Sequence, residues 1–162
     1  MAGRADLAVI FERSPVLLER LAPLVMPSDT PERIVEMAHA IIDALEEPDR
    51  IATLNAHPRI GAPAASLSAL SAAEQGDDAG AETLRVLAEL NSQYERRFGF
   101  HFVVFVNGRR KRDILPVLRA RLVRTREQEL ATGIDEFLAI SLDRLRRTTE
   151  QDDIRRAMDV DS

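Results

Sequence analysis

The sequence predicts an all-α fold, a single-domain, bundle-like set of helices broken by one short extended segment near residues 100–106. Two observations carry this. Apolar residues recur at three- and four-residue steps through most of the chain, and the one run with strand character has no second strand to pair with.

Ile34, Met37, Ala38, Ile41 and Leu45 mark one amphipathic helix, which Thr30 starts as an N-cap ahead of a first-position Pro31. Leu84, Leu87, Asn91, Tyr94 and Phe98 mark another. From Ser71 to about Arg97 the pattern predicts one long helix that stops near Gly99. Leu130, Ile134, Phe137, Leu138, Ser141 and Leu145 mark a third, opened by the capping-box spacing of Thr125 and Gln128. Phe100-His101-Phe102-Val103-Val104-Phe105-Val106 has extended character, and the Asn107-Gly108 that closes it ordinarily signals a hairpin. Residues 112–122 instead return to helical spacing, with Pro116 marking a kink or a first turn. A lone strand cannot satisfy its ladder groups, so the run is read as an extended segment between helices rather than part of a sheet. Ordered loops are expected over 22–31 and 57–68.

A chain of 162 residues that is 45% hydrophobic can bury a core without metal or disulfide staples. One domain is expected over 1–162, with its core at about 6–148 and an acidic tail over 150–162 that frays. No cysteine is present, which excludes disulfide frameworks, thiolate nucleophiles and cysteine-type zinc sites. The net charge of −5 argues against nucleic acid as a partner, despite the basic run Arg109-Arg110-Lys111-Arg112. No stretch approaches the ~20 apolar residues of a membrane span, so a soluble, unexported, cytoplasmic protein without membrane partners is expected.

Of the three histidines, His39 falls inside a helix, His101 in the extended segment, and His57 directly before Pro58 in a loop. A histidine before proline is biased to extended backbone, which can hold an imidazole at a fixed angle. The competing reading is a surface loop histidine. Ser71-Ala72-Ala73-Glu74 has the spacing of a capping box, which accounts for Ser71 and Glu74 structurally but leaves Gln75 unexplained. A helix N-terminus also gathers backbone donors suited to an anionic ligand, so the two readings are compatible. Arg144 shares a helix with Leu138, Ser141 and Leu145. If turned inward it would need a carboxylate, from an acidic substrate or from Glu74.

Five separated blocks, in order, resemble the signature of the OHCU decarboxylases, which act on 2-oxo-4-hydroxy-4-carboxy-5-ureidoimidazoline. They are Phe11-Glu12-Arg13-Ser14-Pro15, His57-Pro58-Arg59-Ile60-Gly61, Ser71-Ala72-Ala73-Glu74-Gln75, Leu90 to Tyr94 with Phe98-Gly99-Phe100, and Ile140 to Leu145. The resemblance implies an all-helical fold, usually a homodimer, working without cofactor or metal. It puts the catalytic acid or base on His57, its partner on Glu74 and a site arginine on Arg144. Substrate contacts fall on Pro58, Ser71 and Gln75, and on the segment comprising Phe100, Phe102, Val103, Val104, Phe105 and Val106. The chain departs from the common pattern at Leu70, often glutamate, at His101, often proline, and at Arg59-Ile60, often Asp-Leu.

The implied reaction converts OHCU to (S)-allantoin and CO2. Its electron sink lies in the substrate, which leaves the protein the handling of a proton. Two other readings stay open. A non-enzymatic helical dimerisation or regulatory module fits the periodicity and charge but not the ordered blocks. A histidine-carboxylate metal hydrolase would need His39, His57 or His101 to converge, and no H-x₃-H or H-E-x-x-H spacing is present.

Overall fold

The computed structural model describes residues 4–63, 67–76 and 80–160. Residues 64–66 of the predicted 57–68 loop, Met1 to Gly3, and Asp161 of the acidic tail lie outside these. The described residues form eight α-helices and no strand: α1 Arg4–Ile10, α2 Pro15–Leu21, α3 Pro31–Asp43, α4 Glu47–Asn55, α5 Ala69–Gln75, α6 Ala81–Phe98, α7 Lys111–Leu122 and α8 Arg126–Val160. No described helix is long and apolar enough to cross a membrane. The chain divides into two compact units, residues 1–50 with 138–162, and residues 51–137.

The predicted helix starts are present. Thr30 Oγ1 accepts from Arg33 N at 3.2 Å, with Pro31 in the first position of α3. At α8, Thr125 and Gln128 exchange both bonds of a capping box, at 3.1 and 3.2 Å. Pro116 lies inside α7 as its sixth residue, past the first turn.

Two expectations are corrected. The single long helix from Ser71 to Arg97 is two helices. Gly76 ends α5 at φ 70°, and α6 begins afresh after Gly80. Glycine reaches positive φ without a Cβ penalty, so Gly76 and Gly99 (φ 83°) are where the chain leaves its helices. The second correction concerns the capping box at Ser71. Helix α5 starts two residues before Ser71, and its cap is Ser68, whose hydroxyl accepts from Ser71 N at 3.1 Å. Glu74 is therefore near the end of α5 rather than in its first turn.

In the first unit, α2 packs on α3 around Leu17, Leu21, Ala38 and Ile42, all fully buried. Between α1 and α2 the chain turns at Glu12 and Arg13, both left-handed at φ 51° and 56°. Such conformations cost about 1–3 kcal/mol each in residues other than glycine and persist where surroundings over-determine them. Buried Phe11 and the side chain of Arg144 hold this corner. Helical geometry continues through the acidic stretch, where fraying is expected, to Val160, with residues 153–160 exposed.

In the second unit, α6 and α7 pack together. Tyr94 is fully buried, its ring 4.6, 6.0 and 5.3 Å from those of Phe98, Phe100 and Phe102. Phe100, Phe102, Val103, Val104 and Val106 are buried, and the segment runs extended with no partner strand among the described residues, as its sequence predicts.

Candidate active site

Helix α4 ends at Asn55, and a last bond from His57 N to Leu54 O (3.0 Å) delivers His57 to the loop beyond it. His57 is 8% exposed, which decides against the surface-loop reading. Its Nδ1 lies 3.1 Å from the Pro58 carbonyl, and its ring meets Phe137 edge-on at 6.3 Å. A carbonyl only accepts, so Nδ1 carries the hydrogen and the neutral ring has its lone pair on Nε2. That assigns Nε2 as the nitrogen able to take a proton.

Side chains from three other elements grip the loop 57–61. Gln75 at the end of α5 accepts from Gly61 N at 2.8 Å and donates to Arg59 O at 3.5 Å. Asn91 in α6 donates to Ile60 O at 3.0 Å. Arg59 Nε donates to Glu95 Oε1 at 2.6 Å, and His101 Nδ1 lies 3.0 Å from His57 O. Gln75, unexplained in the sequence, thus ties α5 to the loop. Buried Ser71 and half-buried Glu74 sit on α5, the short helix that Gln75 ties down. A pocket of about 300 Å³ beside the loop is lined by Arg59, Ile60, Gly61, Asn91 and Glu95, without His57.

The extended segment is held by side chains instead of a neighbouring strand. Arg121 Nη1 donates to Val103 O at 2.7 Å, and its guanidinium lies over the Phe102 ring at 4.5 Å. Arg109 donates from Nε to Val106 O at 2.9 Å and from Nη2 to Phe105 O at 2.5 Å. No hydrogen bond among the described residues uses the N–H or C=O of Val104, which is 5% exposed. Buried backbone groups of this kind are where a ligand carrying both donors and acceptors gains most.

Behind the segment lies a buried charged network. Glu129, 0% exposed, accepts from Tyr94 Oη at 2.6 Å and Arg121 Nε at 2.7 Å, and pairs with Arg124 Nη1 at 3.0 Å. Burial, and then the bond to Glu129, push the Tyr94 hydroxyl well above the usual tyrosine range. Glu136 is half-buried, and desolvation raises its carboxyl above the usual range against the pull of Arg121, the Phe105 amide and Arg109. Sequence reasoning missed these groups. Their signal was a charged residue on an apolar stripe: Arg121 follows Ile114 and Leu118, and Glu129 precedes Gly133 and Phe137, at helical steps.

The first unit contains Arg144, which is 2% exposed and does meet a carboxylate, but that carboxylate is Glu12. Arg144 Nη2 donates to Glu12 Oε1 at 2.9 Å, and Nη1 donates to Ile10 O at 2.9 Å and Val9 O at 3.4 Å. The fork thereby binds the carbonyl end of α1 and the left-handed corner together, joining the first and last of the resembling blocks.

Three of the four residues of the basic run are also committed. Arg109 serves the extended segment, Lys111 is buried with Nζ donating to Gly76 O, and Arg110 Nε lies 3.6 Å from Asp113. Of the remaining histidines, His101 touches the His57 carbonyl rather than its ring, and His39 is an exposed neighbour of Asp43 at 3.3 Å.

A model of the OHCU decarboxylase family matches residues 2–146. The chain is 33% identical over 144 residues to the uric acid degradation bifunctional protein PucL of Bacillus subtilis, covering 86% of this chain and 28% of that protein. It is 35% identical over 114 residues to a human protein named as a putative 2-oxo-4-hydroxy-4-carboxy-5-ureidoimidazoline decarboxylase, covering 65% of each. With the decarboxylase of that name from Haloferax volcanii it shares 31% over 136 residues, 82% of this chain and 80% of that one. The chain thus spans about a quarter of the Bacillus protein's length and just under two thirds of the human protein's. Its fold matches a crystal structure of OHCU decarboxylase in the presence of (S)-allantoin, with TM-score 0.71, 22% identity, 88% of this chain and 96% of the other. A crystal structure of (S)-allantoin synthase matches at TM-score 0.68 and 22% identity, over 90% of this chain and 50% of that one. With most of its length matched by the family model, this chain belongs to the OHCU decarboxylase family.

Proposed function

We propose that this protein is a cofactor-independent decarboxylase that converts OHCU to (S)-allantoin and CO2, with His57 as its proton carrier. The observation that carries the reading is the setting of His57, buried, with Nδ1 turned to the Pro58 carbonyl so that Nε2 is left to exchange a proton. Loss of CO2 breaks the bond to the carboxylate and sends its electron pair toward the adjacent ring C=N. The ring nitrogen takes up a proton, and the enol so formed must lose its hydroxyl proton and gain one at the ureido carbon. Moving that proton on one face fixes the S product, and general acid–base help of this kind is worth about 10²–10⁴-fold.

Glu74 orients His57 or its proton in this proposal, and its place on α5, the helix that Gln75 ties to the His57 loop, supports that use. The half-satisfied backbone around Val104, with Phe100, Phe102, Val103, Phe105 and Val106, supports contacts to the ring amides and ureido group. Pro58, Ser71 and Gln75 belong to the same set, Gln75 chiefly through its grip on the loop. For Arg144 the geometry supports a different part, holding the α1–α2 corner through Glu12. A homodimer in the cytoplasm completes the proposal and rests on the family resemblance.

The test is to generate OHCU freshly from urate and follow the circular dichroism of the allantoin formed. Wild-type protein should give an excess of the S form, and His57→Ala should fall to the racemic background. Stereospecific turnover by His57→Ala would remove His57 from its role. Full activity in Glu74→Gln would remove Glu74.

A further inference from the structure

His101 interrupts a run of buried apolar residues with a side chain that the proposed chemistry does not use. Its backbone N–H donates to Asn55 Oδ1 at 2.9 Å, just before His57 in the chain. Its ring Nδ1 lies 3.0 Å from His57 O, an acceptor, so this nitrogen carries a hydrogen. On the other side of the ring, Nε2 lies 3.4 Å from Glu95 Oε1, the same oxygen that takes Arg59 Nε at 2.6 Å. With a hydrogen on both ring nitrogens, the imidazole donates to a carboxylate on α6 at one end and to the peptide carbonyl of His57 at the other. The side chains of His101 and Glu95 are 18% and 25% exposed, sheltered enough to hold one geometry.

These contacts bear on the aim of the His57 ring. Two consecutive carbonyls are fixed, that of His57 by His101 and that of Pro58 by His57 Nδ1. Turning the first peptide plane moves the second, and with it the acceptor that sets the ring. Proline at position 101 would supply neither the N–H nor the ring nitrogen.

We propose that His101 is a positioning residue for His57: anchored on Glu95, its imidazole fixes the His57 peptide and so the direction in which Nε2 points. This rests on the reading of His57 as proton carrier. Productive geometry tolerates only about half an ångström, and a 1 Å misplacement can cost about 10²-fold in rate.

The test compares His101→Leu, which removes the ring donor, with His101→Asn, whose amide can donate from the same place. With freshly made OHCU, His101→Leu should lower kcat about tenfold with KM changed less than about twofold, and the S excess should drop. His101→Asn should recover kcat to within about threefold of wild type. Thermal unfolding of both variants is measured alongside, and a structural role alone would make activity follow stability with no rescue by Asn. In parallel, the His57 imidazole resonances are followed by NMR, assigned against His39→Gln and His57→Gln. They should broaden or shift in His101→Leu and return in His101→Asn. Wild-type kcat in His101→Leu, or equal losses in Leu and Asn, would overturn the brace while leaving His57 in place. If wild-type protein proves inactive on OHCU, the functional reading fails, and the resonances still decide: an unchanged His57 signal in His101→Leu sinks the brace.

Discussion

Replacing Glu129 by glutamine keeps its shape and removes its charge, at a fully buried site. Glu129 is 0% exposed and receives Tyr94, Arg121 and Arg124, while Arg121 is 5% exposed and makes no other ion pair among the described residues, Glu136 acting on it only at longer range. Breaking one side of a buried pair costs about 3–5 kcal/mol, because the remaining charge stays in the interior uncompensated. For a chain of this size each kcal/mol moves Tm by about 2–4 °C, so Glu129→Gln should lower it by about 6–20 °C. Differential scanning calorimetry and urea unfolding measure this directly. The reasoning makes a second demand. Glu129→Leu and Arg121→Met together should cost much less than the sum of the two single changes, since no buried charge is then stranded and Arg124 reaches solvent. Hydrogen exchange should rise at 102–106 whenever Arg121 is removed, because Val103 O loses its donor. A loss under about 1 kcal/mol in Glu129→Gln, or a double variant as unstable as the sum, would refute the argument.

Tyr94 is the single tyrosine of a chain without tryptophan, so phenolate absorbance reports on it alone. Its folded pKa is raised above the unfolded value near 10, so its contribution to stability is complete below about pH 10 and is lost as pH rises from there. Phenolate should appear together with unfolding, and native protein that titrates as a free phenol would contradict its burial against Glu129. Glu136 carries the same sign at lower pH. Its raised pKa penalises the ionised form, so Glu136→Gln should raise Tm at neutral pH, with the gain vanishing as pH falls below about 4. A gain that persists unchanged in acid would show that charge is not its cause.

What the sequence made legible were features written within a few residues of one another. Thr30 with Pro31, Thr125 with Gln128, and Gly99 after Phe98 each specify their own geometry, and an apolar run without a partner run specifies an unpaired segment. The position of the α5 cap was not legible, because serines at 68 and 71 offer the same chemistry and only the entry of the chain chooses between them. The break at Gly76 was overridden by strong periodicity on both sides. Long-range pairs were invisible for a different reason. Arg144 and Glu12 lie 132 residues apart, and Arg121 and Val103 lie 18 apart, so no local rule connects them. The sequence did show that a buried Arg144 needs a carboxylate, and it could not say which. At the candidate site, His57 stood out by its proline, whereas Asn91, Glu95 and His101 hold the loop around it, at the Ile60 carbonyl, the Arg59 side chain and the His57 carbonyl, and carry no mark of that duty.

The unpaired segment has a consequence for how this chain survives outside its folded state. Residues 102–106 are uncharged, β-prone and rich in valine and phenylalanine, the composition that stacks readily into intermolecular sheets. Folding leaves them without a neighbouring strand, yet two arginines occupy carbonyls along their edge, Arg121 at Val103 and Arg109 at Phe105 and Val106. Exposed Arg109 does for this segment what charges do on the edge strands of sheets, presenting a positive charge to any second copy, while Arg121, buried against Glu129, plugs Val103 from within. The same contacts that shape the proposed substrate site thus also guard the chain against its own stickiest stretch.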